Sequence, residues 1–307
     1  MSPIDLMVVA TPAGSDNGGL AQRGKGIFIL ERKGETLYEP NVQRIIALLS
    51  PTDLVLDIGG WASPFNRADY ILDVEPYETR GFYRTFGSPP FQGGDHEHFT
   101  KDTWLQRDLC DRTPFPFGDK EIDFVICSHT LEDIRDPLWV CSEMVRIAKR
   151  GYIEVPSRIA ESCRGWEYPR EAGLSHHRWL ITIKDNSIEF LMKYHLIHTH
   201  WRFSLPASYL QALPAEKQVQ WMFWESSFTY TERMTHGMAA QIAELERFVE
   251  SVRPYPRWRL KADHQVRKAS HYASRVFNKV RRIVRTNTRG PRGVQNQSCV
   301  SDAEPDC

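Results

Sequence analysis

The sequence of 307 residues is 41% hydrophobic and 25% charged, with a formal net charge of zero, which is typical of a globular protein. It contains no run of about 18 apolar residues and no secretory signal, so we predict no membrane span and expect a cytoplasmic protein. The six cysteines form no C-x-x-C pair, which argues against a zinc ribbon and a disulfide framework.

Strand and helix patterns alternate from residue 26 to residue 157. The predicted strands are 26–34 in an N-terminal hairpin, 53–60, 68–74, 121–128 and 150–157, and the predicted helices are 39–50 and 136–150. Such alternation is typical of parallel βαβ units. We therefore predict an α/β fold with a doubly wound, mostly parallel, Rossmann-like sheet of about seven strands and a C-terminal helical extension.

The chain divides into a domain of residues 1–252 and a C-terminal tail of residues 253–307. The domain comprises an N-terminal hairpin and helix (20–50), a cofactor core (51–157) and a cap on the acceptor side (158–252). Residues 76–104 are rich in Gly and Pro and are expected to form an irregular connection near the ligand edge of the sheet. Residues 232–252 return to a helical pattern.

The strand 53–60 ends in an acid and a glycine turn. A G-x-G-x-x-G fingerprint starting at Gly59 would need glycine at the positions of Trp61 and Pro64, and no G-K-[ST] follows, so dinucleotide and P-loop motifs are excluded. Gly59 and Gly60 would instead let the backbone approach a ligand closely, while the carboxylate of Asp57 receives a cation or a hydroxyl. After the next strand, Asp73 and Glu75 are placed to hold a ribose diol.

Asp108 closes a further short strand before the stretch "TPFPFGDKEIDFVICSHTLEDIRDP". This succession resembles the class I S-adenosylmethionine-dependent methyltransferases over about residues 42–157, especially the branch with an L-x-D-x-G start, a methyltransferase-11-like core. The resemblance implies S-adenosyl-L-methionine as cofactor. It implies contacts with the methionine part from Asp57, Gly59 and Gly60, with the ribose from Asp73, with the adenine from Asp108 and Leu109, and with the sulfonium from Ser128 and His129. Trp61 and Ala62 depart from the usual glycine-rich continuation, which makes the turn stiffer.

The acceptor side is predicted to follow the fifth strand, in the loop 165–179. Aromatic faces, Arg donors and His bases suit a sugar or polyol, although an irregular loop packed on a sheet often contains the same residues. We predict substrate contacts from Trp166, Tyr168, Arg170, Arg178 and Trp179. The candidate general bases for a hydroxyl acceptor are His176 and His177, with His129 as the alternative.

We assign no metal site from the sequence. Adjacent residues such as His176 and His177 rarely both face one ion, and residues 95–98 ("DHEH") are typical of a solvated loop. Glu132 and Asp133 fit either a solvated helix start or the edge of the site.

The tail carries 13 Lys and Arg against one acid between Arg253 and Gly293. Residues 263–285 form the pattern of a basic amphipathic helix, which could lie on an anionic membrane, dock on the acidic body or bind nucleic acid. We favour the first two, which allows a peripheral position at the inner face of the membrane. The last 15 residues are expected to be disordered.

These patterns together predict an S-adenosylmethionine-dependent methyltransferase that modifies a hydroxyl of a saccharide or cell-surface glycan intermediate. The alternatives are an RNA or small-metabolite methyltransferase and a non-catalytic cofactor-binding scaffold. We do not expect a nucleic-acid partner, because the body is acidic and no N-P-P-[YF]-type motif occurs. The sequence leaves the acceptor and the oligomeric state open.

Overall fold

The computed structural model describes residues 36–83 and 92–253, together with separate residues between 256 and 280. Contacts divide the chain after residue 32, and every described residue belongs to the second unit, 33–307. The predicted hairpin strand 26–34 and the last 15 residues lie outside the described residues. So do residues 84–91 of the predicted irregular connection.

Nine strands are present in the described part of the chain. They are β1 (Val55–Ile58), β2 (Tyr70–Asp73), β3 (Trp104–Gln106), β4 (Ile122–Ser128), β5 (Ala148–Pro156), β6 (Trp179–Lys184), β7 (Ser187–Met192), β8 (Val219–Glu225) and β9 (Thr229–Glu232). Six of them form the central sheet in the order β3-β2-β1-β4-β5-β8. All neighbours are parallel except β8, which runs antiparallel to β5. The mostly parallel Rossmann-like sheet is thus confirmed, with six strands rather than about seven.

The described part of the chain up to residue 253 contains seven α-helices, and the first two of them pack against this sheet. The α-helices are α1 (Glu39–Leu48), α2 (Pro137–Ile147), α3 (Arg158–Glu161), α4 (Leu196–Thr199), α5 (Ala207–Ala212), α6 (Ala215–Gln218) and α7 (Gly237–Val252). β1 is buried along its whole length between β2 and β4, as its continuous apolar sequence requires. Because both faces of β1 are covered, ligands can reach it only at its carboxyl end.

Helix α2 illustrates how the sequence defines one end of an element better than the other. The Asp136 side chain accepts a hydrogen bond of 3.2 Å from the Trp139 amide, and Pro137 occupies the first turn, so the start is fixed by capping. The pattern predicts a helix to residue 150, but the helix ends at Ile147. Residues 148–150 instead begin β5, where Arg150 pairs with Phe124 on one side and Glu225 on the other.

The predicted cap, residues 158–252, supplies one strand of the central sheet and forms a second sheet of its own. β6, β7 and β9 form a second sheet in the order β6-β7-β9, while β8 leaves the cap to complete the edge of the first sheet. The helical pattern at 232–252 corresponds to α7, which begins only at Gly237; Glu232 ends β9, and residues 233–236 connect the two elements. Cys127 and Cys141 are fully buried in the core.

The described residues between 258 and 280 are helical and exposed, in agreement with the predicted helix at 263–285 as far as the structure describes it. No helix in the described part of the chain is both long and apolar enough to span a membrane.

Candidate active site

The carboxyl ends of β1, β2 and β4 meet at one edge of the sheet. Because β1 pairs in parallel with both neighbours, Asp57, Asp73 and Ser128 lie at this edge. A cleft opens there, and its lining residues are Leu37, Asp57, Gly59, Gly60, Ala62, Ser63, Tyr83, Gln92, Ser128 and His129. Four residues predicted for the cofactor therefore line one cleft together with His129, which was predicted both beside the sulfonium and as a candidate base.

The turn after β1 requires both of its glycines. Gly59 has a φ of +79°, which favours glycine, and a Cβ on Gly59 would overlap the Thr130 side chain. A Cβ on Gly60 would overlap the Asp57 carboxylate. The backbone therefore passes directly over this carboxylate and leaves the cleft clear of side chains at that point.

Asp57 and Asp73 are buried acids that hold the turn in place. An oxygen of Asp57 accepts a hydrogen bond of 2.9 Å from the Phe65 amide. Asp73 accepts from the amides of Trp61 at 3.0 Å and Glu75 at 2.8 Å. Burial raises the pKa of Asp57 to about 7, with Asp73 adding to the rise, and burial raises the pKa of Asp73 to about 6. A cation bound in the cleft would stabilise the ionised form of both acids.

The third predicted acid lies beyond β3. Asp108 accepts a hydrogen bond of 2.9 Å from the Cys110 amide and forms an ion pair of 2.7 Å with Arg135. Leu109 is buried in the core beside the sheet. Glu75 contacts Asp73 through its backbone amide, which donates a hydrogen bond to the Asp73 carboxylate. The roles of these residues toward adenine and ribose stay predictions.

His129 stands at the end of β4, on the wall of the cleft, between two buried carboxylates. Its φ is +50°, and its amide donates to the Glu154 carbonyl at 2.9 Å. Nδ1 lies 3.5 Å from Glu132 and Nε2 lies 3.4 Å from Glu154, and within the described part of the chain neither nitrogen has a hydrogen-bond partner. Burial lowers the pKa of His129, but the two carboxylates more than offset it and hold the pKa well above its ordinary value.

His176 and His177 lie in a neighbouring cluster, outside the residues that line the cleft. His177 is buried, and its Nδ1 bonds to Glu161 at 2.8 Å. Glu161 in turn accepts from Lys193 at 2.7 Å. Burial lowers the pKa of His177, but Glu161 outweighs it and raises the pKa to about 9. Glu161 therefore favours the protonated form of this ring, and His177 lies outside the cleft in which a base would be needed.

The predicted substrate loop presents some of its residues to solvent and packs others away. Tyr168, Arg170 and Arg178 are exposed. Trp166 packs against the core cluster of Cys163 and Leu205 and remains half-buried. Trp179 begins β6, and its indole donates to the Ile134 carbonyl at 2.8 Å, so this side chain stabilises the fold. Contact of the loop with an acceptor stays a prediction.

The buried acids around the histidines are what sequence reasoning missed. Glu154 lies within the apolar strand β5, and a single acid in such a strand could have indicated a functional residue from the sequence alone. Glu132 and Asp133 were left between two interpretations, and Glu132 proves to be buried to 99%. Glu161 and Lys193 carry no local signal, because their proximity depends on the cap folding back.

Part of the chain is similar to a known protein family. Residues 92–153 match the family model described as a methyltransferase domain. The chain is thus similar to this family over the matched residues, which make up less than half of its length. The cofactor that this similarity implies is S-adenosyl-L-methionine, and the residues of the site fit it. Its positive charge would lie near the buried carboxylate of Asp57, and the turn at Gly59 and Gly60 leaves the cleft clear of side chains there. The search among curated proteins found no match.

Two solved structures are similar to part of the domain. An S-adenosylmethionine-dependent methyltransferase from Aquifex aeolicus is 17% identical, over 39% of this chain and 64% of that one, with a TM-score of 0.27. One from Mesorhizobium loti is 15% identical, over 51% of this chain and 64% of that one, with a TM-score of 0.29. The similar region thus covers less than two thirds of the length of each of these proteins. With TM-scores below 0.5, neither structure indicates what this chain binds.

We expect Gly60→Ala to weaken cofactor binding about tenfold or more. The added Cβ would displace the Asp57 carboxylate from the Phe65 amide, and a hydrogen bond to a charged group is worth about 1.5 to 3 kcal/mol. The measurement is calorimetry with S-adenosylhomocysteine. Gly118→Ala is the matched control, because its nearest neighbour is only the end of the Glu121 side chain, at 3.3 Å. Equal affinity in both variants would contradict the assignment of the turn.

Proposed function

We propose that the protein transfers a methyl group from S-adenosyl-L-methionine to a hydroxyl of a saccharide acceptor. In this in-line displacement the acceptor oxygen forms a bond to the methyl carbon while the bond from that carbon to sulfur breaks. The products are the methyl ether and S-adenosylhomocysteine. The hydroxyl proton leaves to a base of the protein, and we assign it to His129 with Glu132 and Glu154.

The observation that carries this proposal is the pair of carboxylates around His129 on the wall of the cofactor cleft. Glu132 is 1% exposed, and among the described residues neither of its oxygens has a hydrogen-bond partner. Burying ionisable groups costs folding free energy unless they are paired, and such groups concentrate at functional sites. An N-methyltransferase acting on a neutral amine would gain less from a set of buried proton acceptors.

The charge of the cofactor would prepare this base. Without a ligand, Glu132 and Glu154 raise the pKa of His129 well above its ordinary value and so favour the protonated imidazole. A sulfonium in the same cleft disfavours a second positive charge, so it lowers the pKa of His129 and favours release of its proton. His129 then faces the acceptor as a neutral imidazole, with Glu132 and Glu154 in position to stabilise the imidazolium that forms during transfer.

The saccharide class is supported by the side chains of the loop after α3. Tyr168 is 51% exposed and offers an aromatic face, on which a sugar ring can stack. Arg170 and Arg178 are exposed and supply planar hydrogen-bond donors for hydroxyl oxygens. The combination is suited to a neutral or acidic polyol.

The proposal is tested by transfer of a tritiated methyl group from labelled cofactor into fractionated cell extract. We expect label in the saccharide fraction, in a form that resists the mild base that hydrolyses methyl esters. The His129→Asn variant serves as the control, since any label that it transfers is independent of the proposed base. Label in RNA or in protein, with none in saccharide, would contradict the proposed acceptor, and binding of cofactor without transfer to any fraction would favour a scaffold.

We further propose that the tail holds the enzyme at an anionic membrane surface. Within the described part of the tail helix the apolar side chains of Val266 and Phe277 are 66% and 65% exposed. Such a helix can bury its apolar face in the headgroup region, with about 1 kcal/mol from each cation near the surface.

Truncation after Ser251 should therefore leave cofactor binding unchanged and abolish sedimentation with phosphatidylserine vesicles at low salt. Neutral vesicles of phosphatidylcholine provide the control. The membrane proposal fails if the full chain and the truncated chain sediment equally.

A further inference from the structure

We propose that Asp133, His176 and His177 form a binding site for a divalent first-row transition metal. One donor atom from each residue lies within 4.8 Å of the other two. Oδ1 of Asp133 is 3.6 Å from Nε2 of His177 and 3.9 Å from Nε2 of His176. The sequence predicts no metal site because it offers only the adjacent histidines, whereas folding adds a carboxylate from 43 residues earlier.

The donor distances fit a zinc-like ion after small movements. With metal–ligand bonds of about 2.0 to 2.1 Å in a tetrahedral site, donor atoms lie about 3.3 Å apart. The observed separations from Asp133 need to shorten by about 0.3 Å for His177 and by about 0.6 Å for His176. His176 is half-exposed and can make this adjustment by rotating, while the buried His177 stays fixed.

The second observation is the state of His177 itself. Its side chain is completely buried, and Nε2, on the side of Asp133, has no hydrogen-bond partner in the part of the chain that the structure describes. A buried polar nitrogen without a partner costs about 1 to 3 kcal/mol. A metal ion on Nε2 would remove this cost.

The opposite nitrogen of His177 is held as it is in metal sites. Nδ1 bonds to Glu161 at 2.8 Å, and Glu161 is fixed by Lys193 at 2.7 Å. A carboxylate on the second nitrogen places the proton on Nδ1 and directs the lone pair of Nε2 to the metal. Glu161 and Lys193 are thus the residues that position the ligand.

The donor set also defines the class of ion. Two imidazoles and one carboxylate suit Zn²⁺, Co²⁺, Fe²⁺ or Mn²⁺, while Mg²⁺ and Ca²⁺ prefer oxygen donors alone. Three protein ligands leave at least one coordination position open to water or to another oxygen ligand. Glu132, which precedes Asp133, lies beside His129, so the metal site adjoins the cofactor cleft. The inference rests on the donor geometry and does not depend on which acceptor the domain methylates.

The test is titration of the tag-free, chelator-treated full chain with Zn²⁺ by calorimetry and with Co²⁺ by visible absorption. We expect one Zn²⁺ per chain, an intense Co²⁺ spectrum of low coordination number, and no heat with Mg²⁺. His176→Ala and Asp133→Asn should each weaken Zn²⁺ binding at least tenfold. Both residues are partly exposed, so these variants should fold, which a thermal melt verifies.

The matched control is the double variant His96→Ala with His98→Ala, in the other His-rich stretch of the sequence. These rings stack at 4.8 Å, and His96 lies 2.6 Å from Asp95, so this pair is the competing place for an ion. Full Zn²⁺ affinity in this control supports the proposed site. Loss of binding in this control, unchanged binding in His176→Ala and Asp133→Asn, or no binding by the wild type would each overturn it.

Discussion

Replacing His129 by Asn is expected to lower the turnover of methyl transfer by about 10² to 10⁴, because loss of a general base has an effect of that size. Asn is the suitable replacement since it tolerates the positive φ of this position, where Ala would add backbone strain. Binding of S-adenosylhomocysteine should stay within about twofold of the wild type. A loss confined to turnover identifies a group that acts during transfer rather than in cofactor binding.

Glu132→Gln should reproduce part of this loss, because it removes one of the two charges that stabilise the imidazolium while it preserves the shape of the side chain. His195→Ala is the matched control, since this histidine is exposed and its side chain makes no capping bond at α4. Both kinetic constants and a thermal melt should be recorded for each variant. Turnover near the wild-type value in His129→Asn would remove the base from this position.

Asp57→Asn is expected to stabilise the protein without ligand while it weakens cofactor binding. Burial raises the pKa of Asp57 to about 7, so the folded chain holds a proton over a pH range in which the unfolded chain has already released it. Stability therefore falls as the pH rises from about 4 to about 7 and is level above that range. At neutral pH the cost of the buried acid is on the order of 4 kcal/mol as an upper bound, and Asn does not carry it.

The measurement is thermal or urea unfolding of both proteins between pH 4 and pH 8. The stability gain of Asp57→Asn should grow with pH and reach its maximum above pH 7. Asp123→Asn is a control of opposite sign, because the Leu54 amide and Lys149 lower the pKa of Asp123 and its ionised form stabilises the fold. A gain in stability of Asp57→Asn that does not change with pH would contradict this prediction. Cofactor affinity should fall in this variant, since the carboxylate that meets the positive charge is gone.

The fold was predictable where its signals are local. β1 and its parallel neighbours are short apolar runs that end in acids, and these runs locate Asp57 and Asp73 at the same edge before any contact is known. The Asp136 cap and Pro137 define the start of α2. The end of α2 was predicted three residues too late, since basic residues that suit a helix terminus pair with β4 and β8 instead.

The second half of the site was not predictable because its contacts are long-range. Nothing near Glu161 indicates that it will meet His177, 16 residues later, or Lys193, 32 residues later. Likewise, Glu154 reaches His129 only through the pairing of β4 with β5. The sequence predicts His176 and His177 as candidate bases, with His129 as the alternative, and which of them acts stays a prediction. Our proposal takes His129, because it lines the cleft at the ends of β1 and β4.

The central claim is that the acidic edge at the ends of β1 and β2 binds S-adenosyl-L-methionine, and calorimetry with S-adenosylhomocysteine on wild type and Asp73→Asn tests it most directly. We expect one ligand per wild-type chain. In Asp73→Asn the affinity should be about 10 to 100 times weaker, since one bond to a charged acceptor is worth about 1.5 to 3 kcal/mol. Asp123→Asn, at the opposite end of the sheet, should bind as the wild type does. No binding by the wild type, or equal affinity in Asp73→Asn, would contradict the claim.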